Sequence, residues 1–359
     1  IYGLGPLQPV VRHPEVSDVH AHGCDGVWVH LRDGTKLQGP AAASSDPEFI
    51  ALISRQARRV GRSERRWDRD EVALNLQLPD GSRLHALREV TGRPVVDIRC
   101  HDFGIARVAQ LVDVDEADRA IGEFFGALAR GRFNVIVSGG RAVGKTTLLR
   151  CLINEIPPEE RIITIEDSLE LAIDRFPDLH PDCESMEARD PNTEGKGEFS
   201  LADGVRESLR MKSDRVIVGE VRGDEVIPML LAMSQGKDGS MCSVHARSSR
   251  DAFDRLQMYA AMTREGLAPE VTAMLVANAV DFVVHLEWDR SSPPRRRVAS
   301  ILEVSHAEGT QIVHNEVWKP DLVGRAVPHA RLRQETERRL AEAGFDLDLL
   351  DKPEGWWRR

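Results

Sequence analysis

The sequence predicts an α/β protein built on a mostly parallel sheet with helices on both faces, preceded by a smaller α+β domain. Three observations carry this. Short β-branched runs and helical stretches alternate from residue 135 to residue 245, the pattern of consecutive β–α–β units. One junction reads GGRAVGKTT, residues 139–147, a glycine-bounded loop between a strand and a helix. The first 105 residues instead mix short strands, tight turns and one amphipathic helix.

Taken in order, residues 1–105 open on a turn-rich segment. Residues 27–31 (VWVHL) form a strand closed by the Asp33-Gly34 turn. Residues 49–60 form a helix, with Phe49, Leu52, Ile53 and Gln56 at helical spacing. Residues 72–78 alternate like a strand that Pro79-Asp80-Gly81 turns, and residues 84–87 and 95–98 are further strands. An arginine-rich run over residues 55–69 reads as a solvated helix face, or as a patch facing acidic headgroups or an acidic partner. His20 and His22 could ligand a metal, but two lone histidines are more often ordinary surface residues. Residues 106–118 are read as a linker, and residues 119–359 as the second domain.

The second domain opens with a helix over residues 116–130, whose Ile121, Phe124, Phe125 and Leu128 share a face, ended by Gly131. The strand at 135–137 leads into the loop. Residues 161–165 form the next strand, which ends on Glu166-Asp167, and residues 175–199 read as a long loop. Ser200 and Asp203 cap a helix that carries Arg206 and Arg210. A strand over 215–220 ends on Glu220, a helix follows through Met229 and Met233, and a strand over 239–245 ends on His245. Helices at 250–262 and 269–278, strands near 282–286, 298–304 and 311–317, and a charged helix at 330–343 complete the chain. Arg295-Arg296-Arg297 is placed at a hairpin tip.

Composition narrows the function. The net charge is −10 over 359 residues, which argues against bulk nucleic-acid binding. Aromatics are 5%, so stacking platforms for single strands are scarce. Cys24, Cys100, Cys151, Cys183 and Cys242 form no C-x-x-C pair, which argues for a reduced compartment and against a cysteine-based zinc site. No apolar run approaches the length of a membrane span, and no signal-peptide pattern is visible.

The chemistry gathers at the glycine-bounded loop. Gly139, Gly140, Arg141, Ala142, Val143, Gly144, Lys145, Thr146 and Thr147 follow the pattern that turns backbone N–H groups inward around a phosphate. The helix N-terminus behind them adds positive potential. In this pattern Lys145 bridges the β- and γ-phosphates and the Thr146 hydroxyl holds Mg²⁺. Ala142 and Val143 are poor choices where a turn needs positive φ, at a cost of about 1 kcal/mol relative to glycine. Glu166, Glu220 and His245 each close an apolar strand beside this loop. Each alone fits a surface turn. Together they fit an ATP site, which needs a carboxylate to activate water, a group sensing the γ-phosphate and a cation balancing transition-state charge.

At these residues a family comes into view. RVIVGEVRG (215–223) resembles the Walker B motif of the type II/type IV secretion ATPases, IEDSLEL (165–171) their acidic box, and GSMCSVHA (239–246) their histidine box. LGPLQPVVRHPEVSDV (4–19) is similar to the opening of the Tad/CpaF branch, which powers Flp-type pili. The resemblance implies a RecA-like P-loop NTPase core with an N-terminal α+β, PAS-like domain, assembled as a homohexameric ring. It implies a motor ATPase that hydrolyses ATP with Mg²⁺ to power pilus assembly or protein secretion. Such a motor works at the cytoplasmic face of the membrane through an inner-membrane platform protein, and no nucleic acid is expected as partner. It assigns Lys145 and Thr146 to phosphate and Mg²⁺, Glu166 to general base, Glu220 to the Mg²⁺-bound water or to the base role itself, and His245 to γ-phosphate sensing. Arg206, Arg210 and Arg222 match positions where that family keeps arginines and are candidates for finger or interface roles.

The sequence departs from that pattern at Arg141-Ala142-Val143 (Thr-Gly-Ser in the family), at Gln235-Gly236-Lys237 (Thr-Gly-His) and at Ser213 (often Pro). The first two are expected to touch the phosphate environment. They motivate an alternative reading as a degenerate, non-hydrolysing ring subunit or regulator. A nucleic-acid motor sharing the RecA core is the third reading, opposed by the acidic balance.

Overall fold

The computed structural model describes residues 3–60, 67–100, 106–191, 195–289, 291 and 294–351. The arginine-rich run lies partly outside them. The chain forms two compact units, the first from residues 1–104, 168–170 and 190–198, the second from the remainder.

The first unit is an antiparallel sheet of six strands: β1 (Val16–His22), β2 (Gly26–Leu31), β3 (Lys36–Gln38), β4 (Ala73–Gln77), β5 (Arg83–Leu87) and β6 (Val95–Arg99). Their order is β3-β2-β1-β6-β5-β4, which puts the first and last long strands side by side at the centre. The short helix α1 (Gln8–Val11) and the amphipathic α2 (Asp46–Val60) cover one face. Phe49 and Ile53 of α2 are fully buried with Val19, Val27, Ala86 and Val96. The strand β1 lies between the turn-rich entry at residues 1–7 and the strand expected over 27–31, in a stretch for which no element is expected. Its burial alternates weakly, and the polar Ser17, Asp18 and His20 mask the period. His20 Nδ1 donates to Asp97 Oδ1 (2.5 Å) across the β1–β6 pair, an ordinary cross-strand contact.

The second unit carries a nine-stranded mixed sheet in the order β15-β14-β13-β12-β7-β11-β10-β8-β9. Two helices precede it, α3 (Val108–Asp113) and α4 (Arg119–Arg130). The stretch read as a linker thus contains α3, whose Val108 and Leu111 are buried in this unit's core. The Asp118 side chain accepts from Ile121 N (2.7 Å) and starts α4. Strand β7 (Val135–Gly139) is central and fully buried, and runs through the loop into α5 (Lys145–Ile153). Next come β8 (Ile162–Glu166), β9 (Cys183–Glu187), α6 (Leu201–Ser208), β10 (Arg215–Val221), α7 (Val226–Ser234) and β11 (Met241–His245). Strands β7, β8, β9, β10 and β11 are parallel. The strand β9 falls inside the expected long loop. Its residues CESME are half-exposed and lack the β-branched run that marks its neighbours.

The helices α8 (Asp251–Met262) and α9 (Pro269–Ala279) lead to β12 (Phe282–Trp288), which pairs parallel to β7. Then an antiparallel meander follows: β13 (Arg296–Glu308), β14 (Gln311–Pro320) and β15 (Ala326–Pro328), closed by α10 (Gln334–Glu342). One face of the sheet buries α4 and α5 around Phe124, Phe125, Leu148 and Leu149. The other buries α7, α8 and α9 around Met229, Leu230, Phe253 and Val276. Helices on both faces explain why the central strands are apolar throughout rather than alternating.

Candidate active site

Parallel pairing brings the ends of β7, β8, β10 and β11 to one edge of the sheet, where α/β proteins bind ligands. At that edge β7 ends on Gly139. A β-carbon there would lie 2.6 Å from the Leu286 carbonyl and 2.7 Å from Val143 Cγ2, so only glycine lets the loop pass β12. Ala142 adopts φ +57° and Gly144 φ +101°. The loop therefore closes with an alanine in the left-handed region, the costly conformation anticipated for it. Val143 is buried, whereas Arg141 and Ala142 are exposed. Behind them α5 begins at Lys145, with Gly144 as its cap residue.

The Lys145 side chain is 8% exposed. Its Nζ donates to the Gly140 carbonyl (2.8 Å) and to His245 Nδ1 (3.2 Å). An ammonium donor at Nδ1 requires a lone pair there, so the imidazole proton of neutral His245 resides on Nε2. Nε2 lies 2.8 Å from Glu220 Oε1, though not aligned for a hydrogen bond. Burial is the largest influence on His245 and lowers its pKa from 6.5; Lys145 and Arg222 act in the same direction and Glu220 opposes them. Glu220 Oε2 accepts from Arg222 Nε (2.7 Å) and Nη2, and Arg222 Nη1 donates to Asp167 Oδ2 (2.9 Å). Arg222 N and Gly223 N both donate to Glu225 Oε1, which fixes the turn after β10.

The expected site residues thus separate into two groups. Lys145, His245, Glu220 and Arg222 form one continuous line of contacts at the ends of β7, β11 and β10. Glu166 ends β8 next to Gly219 of β10, is 3% exposed, and its Oε1 accepts from Leu171 N (2.9 Å). Thr146 and Thr147 sit in the first turn of α5, half-buried and exposed. Arg206 and Arg210 belong elsewhere: Arg206 pairs with Asp203 (3.4 Å) and Glu265 (4.0 Å), and Arg210 with Glu207 (2.7 Å). Asp167 and Glu225 join the site without having been singled out. Their sequence signal is their position one or a few residues beyond a strand-ending carboxylate.

One expectation is corrected. Gln235-Gly236-Lys237 precedes β11, and the loop follows the C-terminal end of β7, so the two lie at opposite ends of parallel strands. Lys237 Nζ donates to the Ser213 carbonyl, which joins two of the three departures from the family pattern far from the phosphate loop. The arginine triplet is also more than a hairpin tip. Arg297 is 1% exposed and contacts Asp115 Oδ2 (3.1 Å) and Asp289 Oδ2 (3.1 Å).

The donors present suit a hard cation only in part. Among the described residues no group of three or more His, Cys, Asp or Glu is placed to hold a metal. Thr146 and Glu220 offer hydroxyl and carboxylate oxygens, the donor type Mg²⁺ prefers, with remaining positions left to phosphate oxygens and water.

Comparison with known proteins is consistent with this geometry. A model of the family described as "Type II/IV secretion system protein" matches residues 2–287. A protein of Mycobacterium tuberculosis (strain CDC 1551 / Oshkosh) that bears the name of a conjugal transfer protein is 32% identical over 328 residues, 89% of each chain. Protein VirB11 of Agrobacterium fabrum is 33% identical over 226 residues, 59% of this chain and 62% of its own. Among solved structures, the ATPase DotB of Legionella pneumophila matches with a TM-score of 0.58 at 17% identity, over 83% of this chain and 79% of that one. The pilus retraction motor PilT with bound ADP matches with 0.57 at 16% identity, over 98% and 99%. These structures share the fold: a RecA-like P-loop core with an N-terminal domain.

Proposed function

We propose that this chain, which belongs to the type II/IV secretion system protein family, is an ATP-hydrolysing motor that works at a membrane-bound secretion or pilus assembly. The observation that carries this is the line Lys145–His245–Glu220–Arg222 at the loop edge of the parallel sheet. The loop and the N-terminus of α5 receive the β- and γ-phosphates. Lys145 exchanges its contacts to Gly140 and His245 for phosphate oxygens. Mg²⁺, held by Thr146 and phosphate oxygens with Glu220 nearby, supplies charge neutralisation when bound.

Glu220 is the better base of the two carboxylates. Its side chain is 17% exposed with Oε1 facing His245, whereas Glu166 is 3% exposed and accepts the backbone N–H of Leu171. His245 links Lys145 to Glu220 and so registers whether a γ-phosphate is present. Arg222 balances charge beside Glu220. Arg206 and Arg210 have side chains 51% and 77% exposed, which supports a role toward a neighbouring subunit of a homohexameric ring. Among the described residues no helix is long and apolar enough to cross a membrane; the family membership supports association through a membrane-bound platform partner.

The test is steady-state phosphate release from ATP and Mg²⁺, beside ATP binding. Glu220→Gln is expected to lose turnover by at least about 100-fold while still binding ATP, and Lys145→Ala to lose both. Turnover unchanged in Glu220→Gln removes the assigned base. No hydrolysis by the native chain, with ATP bound, favours the regulatory reading that the Arg141-Ala142-Val143 interior suggests.

A further inference from the structure

The arginine triplet and one exposed tryptophan lie beside the loop without a role so far. Lys145 Nζ, His245 and Glu220 mark where the γ end of a triphosphate lies, on the β10–β11 side of β7. The nucleoside at the other end of the chain then leaves on the opposite flank, that of β12. There Trp288 ends β12 and pairs directly with Arg296 of β13. The Trp288 side is 46% exposed, and the Arg296 guanidinium carbon stands 5.4 Å from its ring centroid. Leu286, two residues earlier, packs in the same core as Leu148 and Leu149 of α5. By strand alternation Trp288 projects on that helix face, just past the core.

Arg296 reaches the loop itself. Its Cδ lies 3.7 Å from the point a β-carbon on Gly144 would occupy. Glu116 Oε1 lies 3.2 Å from that point; the residue is 6% exposed, and this oxygen has no hydrogen-bond partner. The Arg296 charge attracts the buried carboxylate, which draws the arginine stem over Gly144.

We propose that Trp288 and Arg296 form the wall on which the base of a bound purine nucleotide stacks. The inference rests on the nucleotide-binding reading above and adds the base subsite to it. An indole face and a guanidinium plane attract any aromatic base through stacking and cation–π interaction. The wall therefore gives affinity for the nucleoside end and accepts ATP and GTP alike, since it reads a face and not an edge.

The experiment is calorimetric binding of ATP, GTP and inorganic tripolyphosphate to the full chain, with circular dichroism melts confirming that variants fold. Trp288→Ala is expected to weaken ATP and GTP by about tenfold and leave tripolyphosphate unchanged, and Arg296→Ala to weaken ATP and GTP more than tripolyphosphate. Trp288→Phe restores most of the loss. Unchanged ATP affinity in Trp288→Ala, or equal loss for ATP and tripolyphosphate, overturns the wall and leaves the phosphate site standing. Failure of the native chain to bind either ligand removes the nucleotide reading and the wall with it.

Discussion

Burial holds the His245 imidazole below its ordinary pKa of 6.5, with Lys145 and Arg222 reinforcing the shift. A depressed pKa for a base means the neutral ring persists to lower pH. Once protonated, the ring becomes a cation that pairs with Glu220 through Nε2 and holds that carboxylate away from the attacking water. ATP turnover is therefore expected to fall on the acid side with a midpoint below 6.5, and His245→Asn to lose that limb from its pH–rate profile. An acid limb that survives the substitution assigns the titration to another group. At this scale much of the site was legible, because Glu220 and His245 each close an apolar run. Glu116 was not: its role depends on which neighbours the fold brings near, and no local pattern encodes that.

The phosphate loop is an element whose sequence and conformation disagree. Ala142 occupies φ +57°, where glycine is more stable by about 1 kcal/mol. Ala142→Gly is expected to raise the stability of the second unit by up to that amount, read from the midpoint of urea unfolding. A lower midpoint means the alanine methyl makes a contact worth more than the strain. Elsewhere, element type followed period and caps closely. The strand over 215–220 and the helix started by Ser200 and Asp203 both appear, the latter with its reciprocal capping bonds. The misses share a cause. The strands β1, β9 and β15 carry polar or mixed residues and gain their pairing from a neighbour already in place. Local propensity is silent where tertiary context decides.

Across the whole second unit, the two ends of the parallel strands do different work. The far end is held by Arg215, whose side chain is 0% exposed and is gripped by Glu160 at 2.8 and 2.6 Å, with Arg132 on the same carboxylate at 2.7 Å. Glu160→Ala strands a buried guanidinium and is expected to cost about 3 kcal/mol, measured by chemical denaturation, while ATP affinity stays as it is. A loss under 1 kcal/mol would mean water replaces the carboxylate. The near end is built on alternation. Lys145, His245, Glu220, Arg222 and Asp167 stand in file, each leaning on the next. When a triphosphate claims the lysine, the histidine loses a donor, and the carboxylate behind it is left to the arginine alone. The news of an arriving ligand thus passes across neighbouring strands by an exchange of partners, with no backbone atom obliged to move. The site keeps a record of its own occupancy, written in who holds whom.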